Sequence, residues 1–250
     1  SSIDVLTLTA TPIPRTLYMG LSSLRDMSLI TTPPISRMPV KTFVMPFSDG
    51  VMKMAIQREL DRGGQVYIVH NRVKTIESFT DFIRALAPNA KIVIGHAQLP
   101  PAQVEEIFLD FIHGEYGILI STTIIENGID IPNANTILID KPELLGLSEL
   151  YQLRGRVGRS DRQAYCYLFY DAKRGLTDDV KRRLEVIEEH TELGSGFKIA
   201  MKDLEIRGAG NLLGKDQSGV ISDVGIELYS KIMAQAVKKV QGSIREEEIE

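Results

Sequence analysis

This chain of 250 residues has little of what secreted and membrane proteins depend on. It has one cysteine, Cys166, so no disulfide can form within the chain, which favours a reducing cytoplasm. No apolar run approaches the roughly 18 residues of a membrane-spanning helix. The first residues, SSIDVLTLTA, lack the basic start and apolar block of a signal peptide. We therefore expect a soluble, cytoplasmic protein with no membrane partner.

The motifs of several enzyme classes are also missing. A P-loop needs G-x-x-x-x-G-K-[ST], but the only Gly-Lys pair, at 214–215, has Ala209 in the first glycine position and Asp216 in place of Ser or Thr. No Asp-Glu dipeptide is present to hold magnesium and activate water. The histidines have no metal-ligand spacing, and no nucleophile elbow occurs. We expect no metal site and no ATP hydrolysis by this chain alone.

Composition indicates a globular chain, with 43% apolar and 25% charged residues. The formal net charge is −4, but the final REEEIE, with one arginine and four glutamates, contributes most of it. The rest of the chain is nearly neutral. Composition therefore neither predicts nor excludes binding to nucleic acid.

Short β-branched and aromatic runs alternate with amphipathic helical patterns from residue 41 onward, which predicts an α/β sheet. The apolar spacing of 75–86 and 101–114 is typical of crossover helices, the second with proline near its start and glycine at its end. The predicted strands are KTFVMPF, QVYIVHN, AKIVIGH, YGILIST, TILID and QAYCYLFY.

Four regions follow from this pattern. Residues 1–40 are predicted to be the end of a preceding domain and a proline-bearing linker, and 41–175 the sheet domain. Residues 176–242 contain two helices joined by GSG, then a loop with too many glycines for a helix, then a final helix. We expect 243–250 to begin a linker to a further domain.

The strongest local pattern is QLRGRVGR at 152–159. On one continuous helix, Gln152, Arg156 and Arg159 fall within about 60° of arc, while Leu153 and Val157 point toward a core. Arginine forks bind phosphate oxygens bidentately, so this face predicts contact with nucleotide phosphates. The alternative is a solvated basic helix face.

A second pattern, STTIIENGIDIPN at 121–133, begins where a predicted strand ends, and parallel sheets bind ligands at such ends. Thr122 and Thr123 offer hydroxyls, and Gly128 permits a tight turn. The carboxylate of Asp130 would accept a hydrogen bond from a ribose hydroxyl or pair with an arginine. A capped turn between strand and helix is the alternative.

Taken in order, TATPIPRTL, VHNRV, GHAQL, TTIIENGIDIPN and QLRGRVGR resemble the later motifs of superfamily-two helicases. The segment DLEIRGAGNLLGKDQSG resembles the translocation motif shared by RecG and the transcription-repair coupling factors (Mfd), and RGAGNLLG with VGIELYSKI favours the latter. The resemblance covers essentially the whole chain. It implies the end of a first RecA-like lobe in 1–40, a second RecA-like lobe with a parallel sheet flanked by helices in 41–175, and a translocation helical hairpin, loop and C-terminal helix in 176–242.

The resemblance also implies roles for particular residues. Arg156 and Arg159 match arginine fingers that reach ATP, with Gln152 as their companion, and Gly128 and Asp130 match the nucleotide side of the preceding motif. Contacts to the backbone of one DNA strand are implied for Arg72, His96, Gln98, Thr122 and Thr123. Coupling of ATP-driven lobe closure to movement is implied for Arg183, Arg207 and Gln217.

The implied function is that of a bacterial, ATP-dependent translocase on double-stranded DNA in transcription-coupled DNA repair, which displaces stalled RNA polymerase. ATP with Mg²⁺ would be bound mainly by the first RecA-like lobe of the same protein. RNA polymerase and nucleotide-excision repair proteins would bind through other domains. The absence of tryptophan argues against strand separation on stacked single-stranded bases. Two alternatives stay open: a RecG-like branch-migration or fork-remodelling helicase, and a non-enzymatic DNA-binding or regulatory module with a RecA-like shape.

Overall fold

The computed structural model of the chain describes residues 38–122, 131 and 133–207, with the isolated positions 6, 8, 28 and 30. Contacts divide the chain into two compact units, one of Pro33–Leu193 and one of Ser1–Thr32 with Gly194–Glu250. The first unit contains the sheet, and most of the described residues belong to it. In the part of the chain that the structure describes, no helix is both long and apolar enough to cross a membrane.

Six strands form one sheet in the order β1-β6-β5-β2-β4-β3, and every neighbouring pair is parallel. Each of the six predicted runs forms a strand, so the predicted α/β fold with a parallel sheet is confirmed. The bounds are β1 Lys41–Pro46, β2 Gln65–His70, β3 Ile92–Gly95, β4 Ile118–Ser121, β5 Ala134–Asp140 and β6 Tyr165–Tyr170.

Five α-helices of the sheet unit connect or cover these strands. The helices predicted from apolar spacing begin and end within two residues of the predicted bounds. The bounds are α1 Asp49–Asp61, α2 Val73–Leu86, α3 Pro101–Ile112, α4 Leu147–Arg154 and α5 Asp178–Glu189, and a 3₁₀ turn spans Pro142–Leu144. In the second unit, α6 spans Gly196–Arg207, as predicted.

Helix α1 was not predicted from the sequence. Ser48 caps it, because its side chain accepts a hydrogen bond from the Val51 amide at 3.4 Å. Met52, Ala55 and Ile56 are spaced at i, i+3 and i+4 and are buried.

The main core lies between the sheet and the pair α1 and α2. Ile56 of α1 and Ile76 and Ile83 of α2 join Val66 and Ile68 of β2 in one buried cluster. Full burial of each such side chain contributes about 1.5–3 kcal/mol. Strands β2 and β5 are buried along their whole length, as expected for inner strands of a parallel sheet.

Helix α5 covers the outer edge of the sheet. Strand β1 pairs only with β6, and its Val44 amide donates to Glu188 Oε1 of α5 at 3.0 Å. This hydrogen bond satisfies one backbone donor that an exposed edge strand would leave open. Helix α5, the first helix after the last strand, therefore packs on the edge of the sheet.

Candidate functional site

Three residues predicted to contact DNA follow the ends of three adjacent strands. Arg72 follows β2, Thr122 follows β4 and His96 follows β3, and these strands are neighbours in the order β2-β4-β3. Because the strands are parallel, their carboxyl ends share one edge of the sheet, where ligands of α/β sheets bind. The Thr122 amide donates to the Gly95 carbonyl at 3.3 Å, which holds the ends of β3 and β4 together. Gln98 lies exposed in the turn after β3.

Two side-chain atoms at this edge lack a hydrogen-bond partner among the described residues. They are Oγ1 of Thr122, a residue that is 3% exposed, and Nδ1 of the half-buried His96. A buried polar atom without a partner costs about 1–3 kcal/mol, so such atoms call for an explanation. A ligand with phosphate oxygens would supply the acceptor that the Thr122 hydroxyl lacks.

The predicted helical face of QLRGRVGR is wrong. Helix α4 ends at Arg154 with Gly155 as its C-cap, so only Gln152 lies on the helix, and Arg156 and Arg159 lie beyond it. The Gly155 amide donates to the Tyr151 carbonyl at 3.0 Å and closes the last turn.

Gly158 turns the segment after α4 away from a helical path. Its φ of 76° lies in the left-handed region that favours glycine. A Cβ there would lie 3.0 Å from Val40 Cγ2 and 3.1 Å from Ala164 Cβ, tighter than ordinary contacts. The prediction that Leu153 and Val157 point into a core is confirmed, since both are buried.

Arg156 and Arg159 are both half-buried, on either side of this turn. The Arg159 Nε donates to the Gly155 carbonyl at 3.4 Å. The positive charge of Arg156 acts on Tyr67 of β2: burial raises the pKa of the Tyr67 phenol, and a hydrogen bond with Ser121 and the charge of Arg156 partly oppose that rise. Arg156 is therefore within electrostatic range of the Tyr67 phenol, which lies 2.8 Å from Ser121 Oγ at the end of β4.

Arg154 is a residue that the sequence analysis missed. It is 4% exposed, and its guanidinium donates to the Ile187 carbonyl at 2.6 Å and to the His190 carbonyl at 2.7 Å, at the C-terminal end of α5. Burial lowers the pKa of Arg154 from its ordinary value, but an arginine stays protonated in proteins. A cation at a helix C-terminus is favourable there.

Arg183 makes a hydrogen bond from α5 back to the segment before α4. It lies on α5 and donates through Nη1 to the Leu145 carbonyl, just before α4, at 2.5 Å. Arg154 and Arg183 thus tie α4 and α5 together from both sides. A run of arginines around QLRGRVGR gave no signal that one of them is buried against a later helix.

The remaining predicted residues lie outside the described residues or lack a described side chain. Thr123, Gly128, Asp130 and Gln217 are in the first group, and Arg207, the last residue of α6, is in the second.

Comparisons with known proteins agree with this fold. Residues 51–161 match the family described as "Helicase conserved C-terminal domain". The chain is 52% identical over 250 residues to the transcription-repair-coupling factor of Myxococcus xanthus, covering 100% of this chain and 21% of that protein. It is 52% identical over 242 residues to the transcription-repair-coupling factor of Bacillus subtilis (strain 168), covering 97% of this chain and 21% of that protein.

A solved structure is also similar over most of the chain. It is RecG bound to a three-way DNA junction, with a TM-score of 0.70 and 32% sequence identity over 90% of this chain and 30% of that chain. The predicted RecA-like lobe is confirmed by this match. The chain spans only 21% of the length of the coupling factors that it matches.

Proposed function

Because residues 51–161 form a helicase conserved C-terminal domain in a RecA-like lobe, we propose that the chain is the second motor lobe of an ATP-dependent translocase on double-stranded DNA. The identity of 52% over its whole length to transcription-repair-coupling factors favours a role in transcription-coupled repair. In that role the complete protein displaces stalled RNA polymerase and binds nucleotide-excision repair proteins through other domains. A first RecA-like lobe supplies the P-loop that this sequence lacks and holds most of the ATP and Mg²⁺.

Arg156 and Arg159 act as arginine fingers in this proposal. Phosphoryl transfer depends on positioning and charge stabilisation, and an arginine from another domain contributes about 10³–10⁵ in rate, or roughly 4–7 kcal/mol. The turn at Gly158 supports this role, because its left-handed backbone, closely surrounded by Val40 and Ala164, fixes the path of the chain between the two arginines. Gln152, Gly128 and Asp130 complete the nucleotide side.

Arg72, His96 and Thr122, with Gln98 and Thr123, follow the DNA backbone. The unpartnered Thr122 hydroxyl is the observation that carries this assignment. Contacts of this type are independent of base sequence and weaken steeply as salt rises.

Helix α5 transmits lobe closure in this proposal. Arg154 is two residues from the finger Arg156 and is bonded to the end of α5, and Arg183 bonds that helix back to Leu145. These hydrogen bonds would transmit a displacement of the finger segment to α5. Arg207 and Gln217, further along the chain, would carry that movement to DNA.

The test is ATP turnover by the complete motor with the single change Arg156→Ala. We expect ATP binding to persist and DNA-stimulated turnover to fall by about 10³-fold or more. Arg84→Ala, which removes an exposed arginine paired with Asp81, is the matched control. Near-normal turnover by Arg156→Ala would contradict the finger assignment. The 250-residue chain alone should not hydrolyse ATP. Turnover by this chain would mean that it contains a complete nucleotide site, contrary to the proposal.

A second candidate function is RecG-like fork remodelling, favoured by the match to RecG over 90% of the chain. Unwinding of model forks by the complete protein without RNA polymerase would support it. Displacement of a stalled polymerase without fork unwinding would support the coupling-factor role.

A further inference from the structure

A cavity of about 560 Å³ opens at the carboxyl edge of the sheet, beside the start of α2. This volume is within the range of about 300–1,000 Å³ that is typical of small-molecule sites. Phe47, Phe79 and Phe82 give it an aromatic wall, and the rings of Phe47 and Phe82 lie 5.9 Å apart.

The cavity is on the opposite face of the sheet from Arg156. Successive side chains of a strand point to opposite faces. His70 lines the cavity and lies on the same face of β2 as Ile68, which packs in the core with α1 and α2. Tyr67 lies on the other face of β2, and the charge of Arg156 acts on its phenol. A ligand here would be separate from ATP at the proposed fingers.

The floor of the cavity is held in place by hydrogen bonds. His70 Nδ1 lies 2.7 Å from Asp140 Oδ2, and His70 Nε2 lies 2.8 Å from Thr75 Oγ1. The His70 ring also stacks on Phe79, with centroids 4.3 Å apart. A second carboxylate, on Asp171, accepts from the Lys173 amide at 3.0 Å. Both carboxylates that line the cavity, on Asp140 and Asp171, are thus hydrogen-bonded to other groups of the chain.

Three cationic side chains also line the cavity. Within residues 38–122 and 133–207, the side chains of Arg72, Lys141 and Lys173 have no hydrogen-bond or ion-pair partner. Helix α2 also begins here, after Arg72, without a side-chain cap, which adds to the positive potential.

The backbone at Lys141 is held in a strained conformation. Its φ is 56°, and it is the one non-glycine residue in the described part of the chain with a positive φ. Such conformations cost about 1–3 kcal/mol and cluster at functional sites. Two hydrogen bonds hold it: its amide donates to the Phe169 carbonyl at 2.9 Å, and its carbonyl accepts from the Leu144 amide at 3.1 Å.

We propose that this cavity binds a nucleoside phosphate, with the planar base against Phe47 and Phe82 and the phosphate against Arg72, Lys141 and Lys173. Cations alone would suit any anion, and aromatic walls alone would suit any flat ring. Their combination in one cavity of this size fits a ligand that carries both. The site requires no first lobe, so the proposal does not depend on the motor function.

The test uses the 250-residue chain, because its sequence carries no P-loop that would compete for nucleotide. Fluorescence anisotropy of methylanthraniloyl-ADP measures binding, and displacement by unlabelled ADP excludes binding through the label alone. The variant Lys141→Asn with Lys173→Gln removes two cations, and asparagine tolerates the left-handed conformation. The control, Lys53→Gln with Lys91→Gln, makes the same charge change at exposed positions outside the cavity.

We expect saturable binding that the cavity variant weakens by about tenfold or more, because removing one charge-assisted hydrogen bond to a phosphate has roughly this effect. The control should bind as the unchanged chain does. Pyrophosphate should compete at least about tenfold less well than ADP, because it lacks the ring that the aromatic wall binds.

Four outcomes would overturn the proposal. The first two are no saturable binding at millimolar nucleotide, and equal weakening in the cavity variant and the control. The third is competition by pyrophosphate as strong as that by ADP, which would indicate a simple anion site. The fourth is binding of a short DNA duplex through the same lysines without displacement by ADP, which would make the cavity part of the DNA path.

Discussion

Replacing Arg154 by methionine tests the link between α4 and α5. The change removes the hydrogen bonds that the Arg154 guanidinium donates to the Ile187 and His190 carbonyls, and hydrogen bonds of a charged group contribute about 1.5–3 kcal/mol each. Losing the cation at the helix C-terminus costs about 0.3–2 kcal/mol, while removing a buried charge offsets part of the total. We expect the free energy of unfolding of the sheet unit to fall by about 3 kcal/mol, and its Tm by about 6–12 °C.

Urea unfolding followed by circular dichroism measures this decrease, and hydrogen exchange at the end of α5 tests whether the opening begins there. The matched control is Arg84→Met, because Arg84 and its partner Asp81 are 55% and 71% exposed, and an exposed pair contributes only about 0–1 kcal/mol. Arg154→Lys keeps the charge but not the planar fork, so it should fall between the two. If Arg154→Met lost no more stability than Arg84→Met, the hydrogen bonds to the two carbonyls would not hold α5.

Three further predictions concern stability and DNA binding. Burial raises the pKa of the Cys166 thiol to about 12, above the value of about 8.5 in the unfolded chain. The protonated thiol therefore stabilises the fold fully below about pH 8.5, and this stabilisation is lost as pH rises toward about 12. Over this window the free energy of unfolding should fall less steeply with pH in Cys166→Ala than in the unchanged chain, and equal slopes would contradict this. A Cβ at Gly64 would overlap the buried Glu59 carboxylate, whereas one at Gly50 would meet nothing within 4 Å. The free energy of unfolding, measured in urea, should therefore fall by more than about 1 kcal/mol in Gly64→Ala and rise by up to about 1 kcal/mol in Gly50→Ala. Similar changes in the two variants would refute the clash. Thr122→Val should leave chain stability unchanged or higher while weakening duplex binding by the complete motor, and a stability decrease above about 1 kcal/mol would mean that its hydroxyl is bonded within the fold.

The sheet was predictable because its strands carry a strong signal. Inner strands of a parallel sheet are covered on both faces, so their central residues, such as VYIV in β2 and ILI in β4, are all aliphatic or aromatic and stand out from the polar segments around them. Helix α1 was missed because its buried stripe is narrow. Its methionines are divided between the core, at Met52, and the exposed surface, at Met54.

The site was only partly predictable. Arg72, His96 and Thr122 were found because residues that follow adjacent parallel strands must share an edge. The path of QLRGRVGR was not found, because helical periodicity says nothing about where a helix stops, and here α4 stops at Arg154 and the left-handed turn at Gly158 redirects the chain beside Val40 and Ala164. Arg154 was missed for a related reason. Its partners lie on a helix more than 30 residues later, and no local pattern announces such an interaction.

The position of β1 has a consequence for how the chain folds as it leaves the ribosome. Lys41 is made before Tyr165, and its strand meets the sheet only through β6, with Lys41 opposite Tyr165. At a synthesis rate of about 5–20 residues per second, β1 waits on the order of 10 s for its partner. During that interval its backbone donors are open to any other strand. A chaperone, or the nascent chain of a neighbouring ribosome, would find this segment accessible until β6 is inserted between β1 and β5.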